Sequence, residues 1–232
     1  MYKYETHLHS SNCSACGKSS AHEMVQAYKN AGYAGFVLTD HFVTGNSCVP
    51  YNLDWKSRMI MFYNAYLEAK DEGEKLDFDV LFGLEHYYNH GKEILVYGID
   101  LEFLQAHPEL EEADIETFAK LVHEQGGILV HAHPHRKRDY IDDTMEICYD
   151  VCDGIEVYNA CNNEDDGDDL AMQDATRLGK IMTSGGDIHR CYDERIGLAG
   201  IVFEKRIKSN ENLIEALQNR EGHLLINGKM EK

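Results

Sequence analysis

The sequence lacks any apolar run close to the roughly 18 residues that a membrane span needs, and its N-terminus carries no basic-then-apolar leader. We therefore expect no membrane partner and a cytoplasmic location. Cysteine occurs at only seven positions, an odd number with irregular spacing. Because disulfide frameworks use an even, regularly spaced set of cysteines, this usage indicates a reducing compartment.

Basic residues are also scarce, since 22 Lys and Arg stand against 41 Asp and Glu, for a formal charge of −19 at neutral pH. Surfaces that bind nucleic acid neutralise phosphates with clustered Lys and Arg. The acidic balance is spread along the chain, so a nucleic-acid partner is not expected. An anionic substrate would need local positive charge.

The chain has no GxGxxG or GxxxxGK[ST] phosphate loop and no linker that divides it. Its 232 residues suffice for a large core, so we expect a single domain over residues 1–232. Strand-like apolar runs alternate with segments of helical periodicity. Predicted strands lie at residues 3–9, 34–41, 78–86, 91–100, 127–135, 154–159, 180–189, 199–205 and 223–228. Predicted helices lie at residues 22–32, 55–73, 113–127, 142–152, 168–179 and 209–222.

This alternation predicts an α/β fold. Repeated strand–helix units favour a parallel sheet, and about seven of them favour a closed or nearly closed barrel over an open doubly wound sheet. The strands at 78–86 and 91–100 are predicted to pair across the turn at residues 89–91. Ser20 and Glu23 have the spacing of a capping box and predict where the first helix begins.

Histidines and carboxylates recur at the C-terminal ends of the predicted strands, which converge on one rim in a parallel barrel. The residues at these ends are His7, His9, Asp40, His41, Glu85, His86, His131, His133, Glu156, Asp187 and His189. Imidazole mixed with carboxylate, without paired CxxC motifs, favours a catalytic centre of several zinc, manganese or iron ions over a closed structural zinc site.

His7 and His9 stand two residues apart in the segment ETHLHS. Side chains two apart in a strand project on the same side, so both can reach one metal. The same spacing recurs at two further strand ends, in the pairs His131 with His133 and Asp187 with His189.

These motifs, in this order, resemble the polymerase and histidinol phosphatase (PHP) domain phosphoesterases over nearly the whole chain. The resemblance rests on THLHS at residues 6–10, TDH at 39–41, GLEH at 83–86, HAHPH at 131–135 and SGGDIH at 184–189. It implies a single PHP-type catalytic domain with a distorted (β/α)7 barrel, similar to a TIM barrel. It also implies two or three divalent metal ions at the C-terminal rim of the strands, and hydrolysis of phosphate esters.

Matched position by position, the family's metal ligands fall on His7, His9, His41, Glu85, His133, Asp187 and His189. Glu85 takes the place of a carboxylate that bridges two metals. Two positions depart from the family pattern. Cys16 stands where many members have Asp or His, and Glu93 stands where many have His. A thiolate and a carboxylate are both competent ligands, so the departures bear on the number and identity of the metals.

Several residues have plainer interpretations. For His86 and His131, a metal ligand, a support for a ligand and a purely structural residue remain open. We expect Glu156 to support a ligand and Asn159 to contact the rim.

Cys13 and Cys16 could form half of a zinc ribbon, but the other close pair, Cys148 and Cys152, has a different spacing. Cys148 and Cys152 fall in a predicted helix and are better explained as core residues on one of its faces.

Basic residues near the motifs are the candidates for contacts with a phosphorylated substrate. Arg136 follows HPH directly and Arg190 follows DIH, and a guanidinium is a natural partner for phosphate oxygens. The loop from residue 43 to residue 55 and the loop around Cys161 are predicted to shape the pocket.

We expect the metals to lower the pKa of a bridging water to near neutrality, so that hydroxide attacks phosphorus. Asp187 is the predicted catalytic residue, as a ligand or as a proton carrier. The favoured function is a small-molecule phosphatase, for which histidinol phosphate, sugar phosphates and nucleotides are all candidates.

An amidohydrolase-type enzyme is the alternative, because that family uses similar histidines and aspartates on similar barrels. A nucleic-acid-associated, nuclease-like PHP domain is the third hypothesis. No pattern in the sequence predicts an oligomeric state.

Overall fold

The computed structural model describes residues 1–142, 144–162 and 166–231, and these form one curled sheet of ten strands with six α-helices. The strands are β1 (Tyr2–Glu5), β2 (Gly35–Leu38), β3 (Asp79–Asn89), β4 (Lys92–Tyr97), β5 (Ile128–His131), β6 (Gly154–Asn159), β7 (Ile181–Gly185), β8 (Gly200–Phe203), β9 (His223–Ile226) and β10 (Lys229–Met230). The helices are α1 (Ala21–Asn30), α2 (Trp55–Leu76), α3 (Leu101–Ala106), α4 (Ile115–Glu124), α5 (Gly167–Leu178) and α6 (Asn210–Gln218).

The sheet is mixed rather than all-parallel, with the order β10-β9-β8-β1-β2-β3-β4-β5-β6-β7. Strands β1, β2 and β3 run parallel, as do β5, β6 and β7. The predicted hairpin across residues 89–91 is confirmed, because β3 and β4 pair antiparallel. Strands β8, β9 and β10 add an antiparallel extension beside β1. The α/β class is therefore confirmed.

The two faces of the sheet bury different sets of apolar side chains. Because successive side chains in a strand point to opposite faces, Val80 and Phe82 of β3 pack outward against helix residues such as Phe62. Leu81 points inward, where it packs with residues such as Tyr97. The concave face is thus filled by an apolar layer, and the C-terminal strand ends lie beyond it.

Backbone hydrogen bonds join the two sides of the curled sheet just past β1 and β7. The amide of Asp187 donates to the carbonyl of His7 (2.7 Å), and the amide of His9 donates to the carbonyl of Ile188 (2.9 Å). Leu8 and Ile188 form a parallel bridge between these bonds. The segments that carry THLHS and SGGDIH are therefore held side by side.

The helix predicted at residues 142–152 is wrong for the described part of that segment. Residues 144–152 form a loop that ends in a 3-10 turn, Tyr149–Val151, and residue 143 lies outside the described residues. Cys152 is nevertheless buried in the core that Cys148 packs against, as expected. Alternation of apolar residues in a loop that covers the core resembles helical periodicity, and this explains the error.

The capping box at the start of α1 is confirmed, with Ser20 and Glu23 each bonded to the other's backbone amide. None of the helices in the described residues is long and apolar enough to span a membrane.

We predict that Gly185→Ala destabilises the fold. Gly185 is the last residue of β7, and a Cβ there would lie 2.3 Å from Glu156 Oε1 and 2.4 Å from the Cβ of His7. Glu156 of β6 and His7, just past β1, would therefore be pushed away from β7. Overpacking of this kind costs about 1–3 kcal/mol. Urea unfolding measures the loss. Gly167→Ala is the control, because a Cβ there meets nothing closer than 3.4 Å. Equal midpoints for the two variants would contradict the prediction.

Candidate metal centre

Eight of the nine predicted metal ligands converge at one edge of the sheet, where the parallel strands end and the antiparallel strand β4 begins. They form four overlapping groups, in each of which the ligand atoms lie within 4.8 Å of one another. The groups are His7 with His9 and Glu85, His7 with His133 and Asp187, His9 with His41 and His189, and His41 with Glu85 and Glu93. Shared members link the four groups, so the residues form one continuous cluster of potential metal ligands.

Glu85 stands at the centre of this cluster. Its Oε1 lies 3.1 Å from His7 Nε2 and 3.2 Å from His133 Nε2, and its Oε2 lies 2.8 Å from His41 Nδ1. The side chain is almost completely buried. A carboxylate whose two oxygens face different histidines has the arrangement of a bridging ligand.

Because side chains alternate between the two faces of β3, Glu85 lies in the centre and the next residue, His86, lies outside it. Leu81 packs in the concave layer, so Gly83 and Glu85 share that face. His86 therefore lies on the outer face, where its ring stacks on Phe118 of α4 with centroids 3.8 Å apart. Of the interpretations left open for His86, the structure favours the structural one.

Two centre residues have a backbone in the left-handed region. His133 has φ of 29° and Asp187 has φ of 54°. Such conformations cost about 1–3 kcal/mol in a residue with a side chain and persist where the surrounding structure holds them. The turn at His133 breaks the strand period, so His131 and His133 do not share a face. His131 instead contacts the Tyr88 hydroxyl at 2.8 Å, outside the centre.

For three of the histidines, hydrogen bonds behind the centre fix which nitrogen faces inward. His7 Nδ1 contacts Glu156 Oε1 at 2.9 Å, and His9 Nδ1 contacts the Ser14 hydroxyl at 3.1 Å. His189 Nδ1 contacts the carbonyl of Asp187 at 2.8 Å. If these Nδ1 atoms carry the proton, each Nε2 has a free lone pair for a cation, which is the usual arrangement of metal-binding histidines. Glu156 thus lies directly behind His7, which is one of the predicted ligands.

The Ser14 hydroxyl links His9 to a buried carboxylate, that of Asp40. It donates to Asp40 Oδ1 at 2.7 Å and accepts the amide hydrogen of His41 at 2.9 Å. Ser14 was missed by the sequence analysis, because its role depends on a contact with a residue 26 positions away. The CxxC spacing drew attention to Cys13 and Cys16 and not to the serine between them.

The electrostatics of the cluster match a cation site. Although burial raises the pKa of Glu85, the charges of His7 and His41 lower it well below its usual range. Burial lowers the pKa of His7, but Glu156, Asp187 and Glu85 raise it well above its ordinary value. The acidic groups thus hold protons on histidines that a bound cation would displace, so metal affinity should fall with acid.

Two buried atoms test whether the residues fit metal ions. His41 Nδ1 and Glu85 Oε2 are fully buried and make no hydrogen bond with any described residue, although they lie 2.8 Å apart. Buried polar atoms are rarely left without a partner. A nitrogen and a carboxylate oxygen that meet without a hydrogen bond fit two ligands of one ion, so the residues present fit the expected metals.

Glu93 and Cys16, the two departures from the family pattern, occupy different places. Glu93 lies 3.4 Å from His41 Nδ1 and belongs to one of the four groups. Cys16 belongs to none of the groups found in the described residues, but it lines the adjoining cavity. Burial raises the pKa of the Cys16 thiol, but hydrogen bonds with His189 and His41 lower this pKa to about 6. The thiolate form is thus accessible beside the centre.

The two predicted substrate-binding arginines are placed differently. Arg136 is buried and reaches the centre, where it contacts Asp187 Oδ2 at 2.7 Å and donates to Asn159 Oδ1 at 2.8 Å. Arg190 is exposed and bonds to Asp193 at 2.9 Å, and it does not line the cavity. Asn159 contacts Arg136 and Glu156 behind the rim.

A cavity of about 610 Å³ opens above the centre. As predicted, the loop at residues 43–55 shapes it, through Thr44, Gly45 and Asn46. Cys161, in the other predicted loop, is not among the described lining residues, and its thiol donates to the carbonyl of Asp187 at 3.1 Å. The lining residues are Cys16, His41, Thr44, Gly45, Asn46, Glu85, Tyr87, Gly91, Glu93, Arg136, Tyr140, Asp187 and His189. Tyr87 and Tyr140 were missed, since neither belongs to a motif.

Comparisons with known proteins agree with this architecture. The PHP domain family matches residues 5–224 of the chain. A two-domain protein of Bacteroides vulgatus that contains a predicted PHP-like metal-dependent phosphoesterase has a TM-score of 0.73 at 18% identity. The match covers 99% of this chain, which spans 66% of the length of that one. A search of curated proteins finds no match.

Two further solved structures share the fold. An amidohydrolase of Chromobacterium violaceum with bound sulfate and no metal has a TM-score of 0.59 at 18% identity, over 80% of this chain and 87% of that one. Endonuclease Q, in complex with a 27-mer duplex that has an abasic lesion at the active site, has a TM-score of 0.63 at 14% identity. That match covers 94% of this chain and 56% of the endonuclease. At these identities the likeness shows the fold alone.

We predict that Glu156→Gln weakens metal binding by about 10- to 100-fold, as loss of a carboxylate behind a ligating histidine does elsewhere. Glu156 Oε1 faces His7 Nδ1, and its Oε2 accepts hydrogens from the His133 amide and Asn159 Nδ2. The NH2 group of a glutamine would replace one of these two acceptors with a donor, so one side would lose its hydrogen bonds. A competition titration with a metal indicator measures the affinity. The control is Asp174→Asn, which alters a carboxylate–histidine pair with His135 outside the cavity. Unchanged affinity in Glu156→Gln would refute the role of Glu156.

Proposed function

Because the chain belongs to the PHP domain family, we propose that it is a metal-dependent phosphoesterase that hydrolyses a small-molecule phosphate ester. The observation that carries the proposal is the set of four linked ligand groups around Glu85 at the floor of the cavity. A buried cluster of this composition has no evident structural task, since the apolar layers beneath it already fill the sheet.

We assign the ligands to His7, His9, His41, Glu85, Glu93, His133, Asp187 and His189, for two or three divalent ions. The group of three histidines, with Cys16 beside it, suits zinc, whereas the groups that contain carboxylates also suit manganese or iron. Cys16 is the additional ligand in this proposal, because its thiol already lies within hydrogen-bond reach of His41 and His189.

Bound divalent ions would supply a water of lowered pKa as the nucleophile and positive charge for the phosphate oxygens. The chain's own residues orient this chemistry. Arg136 holds one oxygen of Asp187 and leaves the other facing His9 Nε2 at 3.2 Å. We propose Asp187 as the catalytic residue that accepts the proton of the nucleophile.

We assign the substrate contact to Arg136, whose guanidinium has further N–H groups and lines the cavity. Arg190 would have to release Asp193 and turn inward to contribute. Histidinol phosphate, sugar phosphates and nucleotides remain the candidate classes of substrate.

The amidohydrolase and nuclease alternatives rest on the structural neighbours. Charge argues against the nuclease, because the chain carries a formal charge of −19, and among the described residues that line the cavity Arg136 is the single Arg or Lys. A nucleic-acid site normally tracks the phosphates with several Lys and Arg. We therefore propose a free small-molecule substrate and no nucleic-acid partner.

Removal of metal should abolish hydrolysis. We expect two or three equivalents of transition metal in protein purified without chelators, and hydrolysis of an aryl phosphate that is lost with the metal and returns on its restoration. Elemental analysis and the release of phosphate measure both. Parallel assays with an aryl amide and with an abasic duplex test the alternatives. Metal-restored cleavage of either one, without phosphate release, would contradict the proposal.

Asp187→Asn should lower kcat by about 100- to 10,000-fold, the usual range for loss of a positioned proton acceptor. The matched control is Asp193→Asn, because Asp193 is a carboxylate of the same loop that pairs with Arg190 and Arg195 outside the cavity. Metal content is measured on both variants. Full activity with full metal content in Asp187→Asn would show that Asp187 is not catalytic.

A further inference from the structure

The cavity has a buried end that carries charge and an outer wall that carries none. The buried end holds the carboxylates of Glu85, Glu93 and Asp187 with Arg136. The outer wall comprises Thr44, Gly45, Asn46, Tyr87, Gly91 and Tyr140. No described residue of the outer wall bears a charge, and its two large side chains are aromatic.

The outer wall is held in place by backbone contacts. Residues 140–142 lie against the turn of the β3–β4 hairpin, where the amide of Asp142 donates to the carbonyl of His90 at 3.1 Å. A Cβ on Gly91 would lie 2.9 Å from the carbonyl oxygen of Tyr140, so only glycine allows this approach. Tyr87 belongs to β3 itself. Both tyrosines therefore project from fixed backbone.

Tyr140 connects the mouth of the cavity with its floor. Its side chain is exposed at the mouth, with 66% of the residue accessible. Burial raises the pKa of its hydroxyl, Arg136 and Arg138 lower it, and Glu93 and Asp187 raise it further. The ring forms part of the wall of the same cavity that the charged residues of the floor line.

The charge pattern restricts what can leave the phosphorus atom. If the ligands at the floor hold metal ions that bind the phosphoryl group, the remainder of the ester would lie along the outer wall. A second phosphate or carboxylate there would lose water without a cationic partner among the described lining residues of the outer wall, which is unfavourable. A planar ring, in contrast, can pack on the faces or edges of the two tyrosines.

We propose that the cavity selects phosphate esters whose leaving group carries a planar ring and no second anionic group, and that Tyr140, with Tyr87, is the surface on which this ring packs. The inference rests on the proposed phosphoesterase activity. It assigns Tyr140 a role in specificity, outside the metal centre.

Three monoesters test the preference with the metal-loaded wild type. Benzyl phosphate and cyclohexylmethyl phosphate have leaving groups of similar size and basicity, but only the first is planar. 4-Carboxybenzyl phosphate adds one anionic group to the first. We expect kcat/KM for benzyl phosphate to exceed that of each of the others about 3- to 10-fold, the range of a single aromatic contact. Calorimetry with benzylphosphonate and cyclohexylmethylphosphonate should give the same order of affinity without turnover.

Substitutions of Tyr140 test whether the outer wall causes the preference for a planar leaving group. Tyr140→Ala should remove most of the difference between benzyl and cyclohexylmethyl compounds, chiefly through KM and Kd, whereas Tyr140→Phe should keep it. The control is Tyr192→Ala, since Tyr192 is similarly exposed but does not line the cavity. Metal content should stay at the wild-type value in all three variants.

The outcomes separate the two proposals. Hydrolysis of all three esters at equal rates, or a ring preference that survives in Tyr140→Ala, overturns the inference and leaves the phosphoesterase activity standing. Failure of the metal-loaded wild type to hydrolyse any ester overturns both. A ring preference lost in Tyr140→Ala and kept in Tyr140→Phe and Tyr192→Ala supports the inference.

Discussion

A buried carboxylate, Glu85, is the constraint around which the site is arranged. Removing a negative charge from water is costly unless cations or hydrogen-bond donors surround it. Here the oxygens face four histidines, and one oxygen makes no hydrogen bond with the described residues. The incomplete satisfaction of this carboxylate is the strongest physical argument that cations belong in the cavity.

A second layer of buried acids holds the ligands in position. Glu5 accepts the amide hydrogens of His7 and Gly186 at 3.0 and 2.8 Å, and so ties together the two segments that carry the first and last ligands. Glu156 and Asp40 act behind His7 and His9, the latter through Ser14. The excess of acidic residues is thus partly structural, because buried carboxylates replace water around crowded backbone amides and imidazoles.

The acidity also bears on function. An acidic chain repels polyanions at long range, whereas bound metal ions would make the floor of the cavity locally positive. The combination favours small esters that can enter completely over polymers that must lie along the surface. The neutral aromatic wall is consistent with that division between a charged floor and an uncharged mouth.

The sequence by itself determined the α/β class, the β3–β4 hairpin and the convergence of the motif residues, because ligand spacing and strand periodicity are local properties. Period-two alternation could also have placed His86 outside once Glu85 was placed inside. The loop at residues 144–152, the left-handed turn that separates His131 from His133, and the partners of Arg136 and Arg190 were decided by tertiary structure. Each of these depends on packing between segments far apart in the chain, and local periodicity carries no information about such contacts.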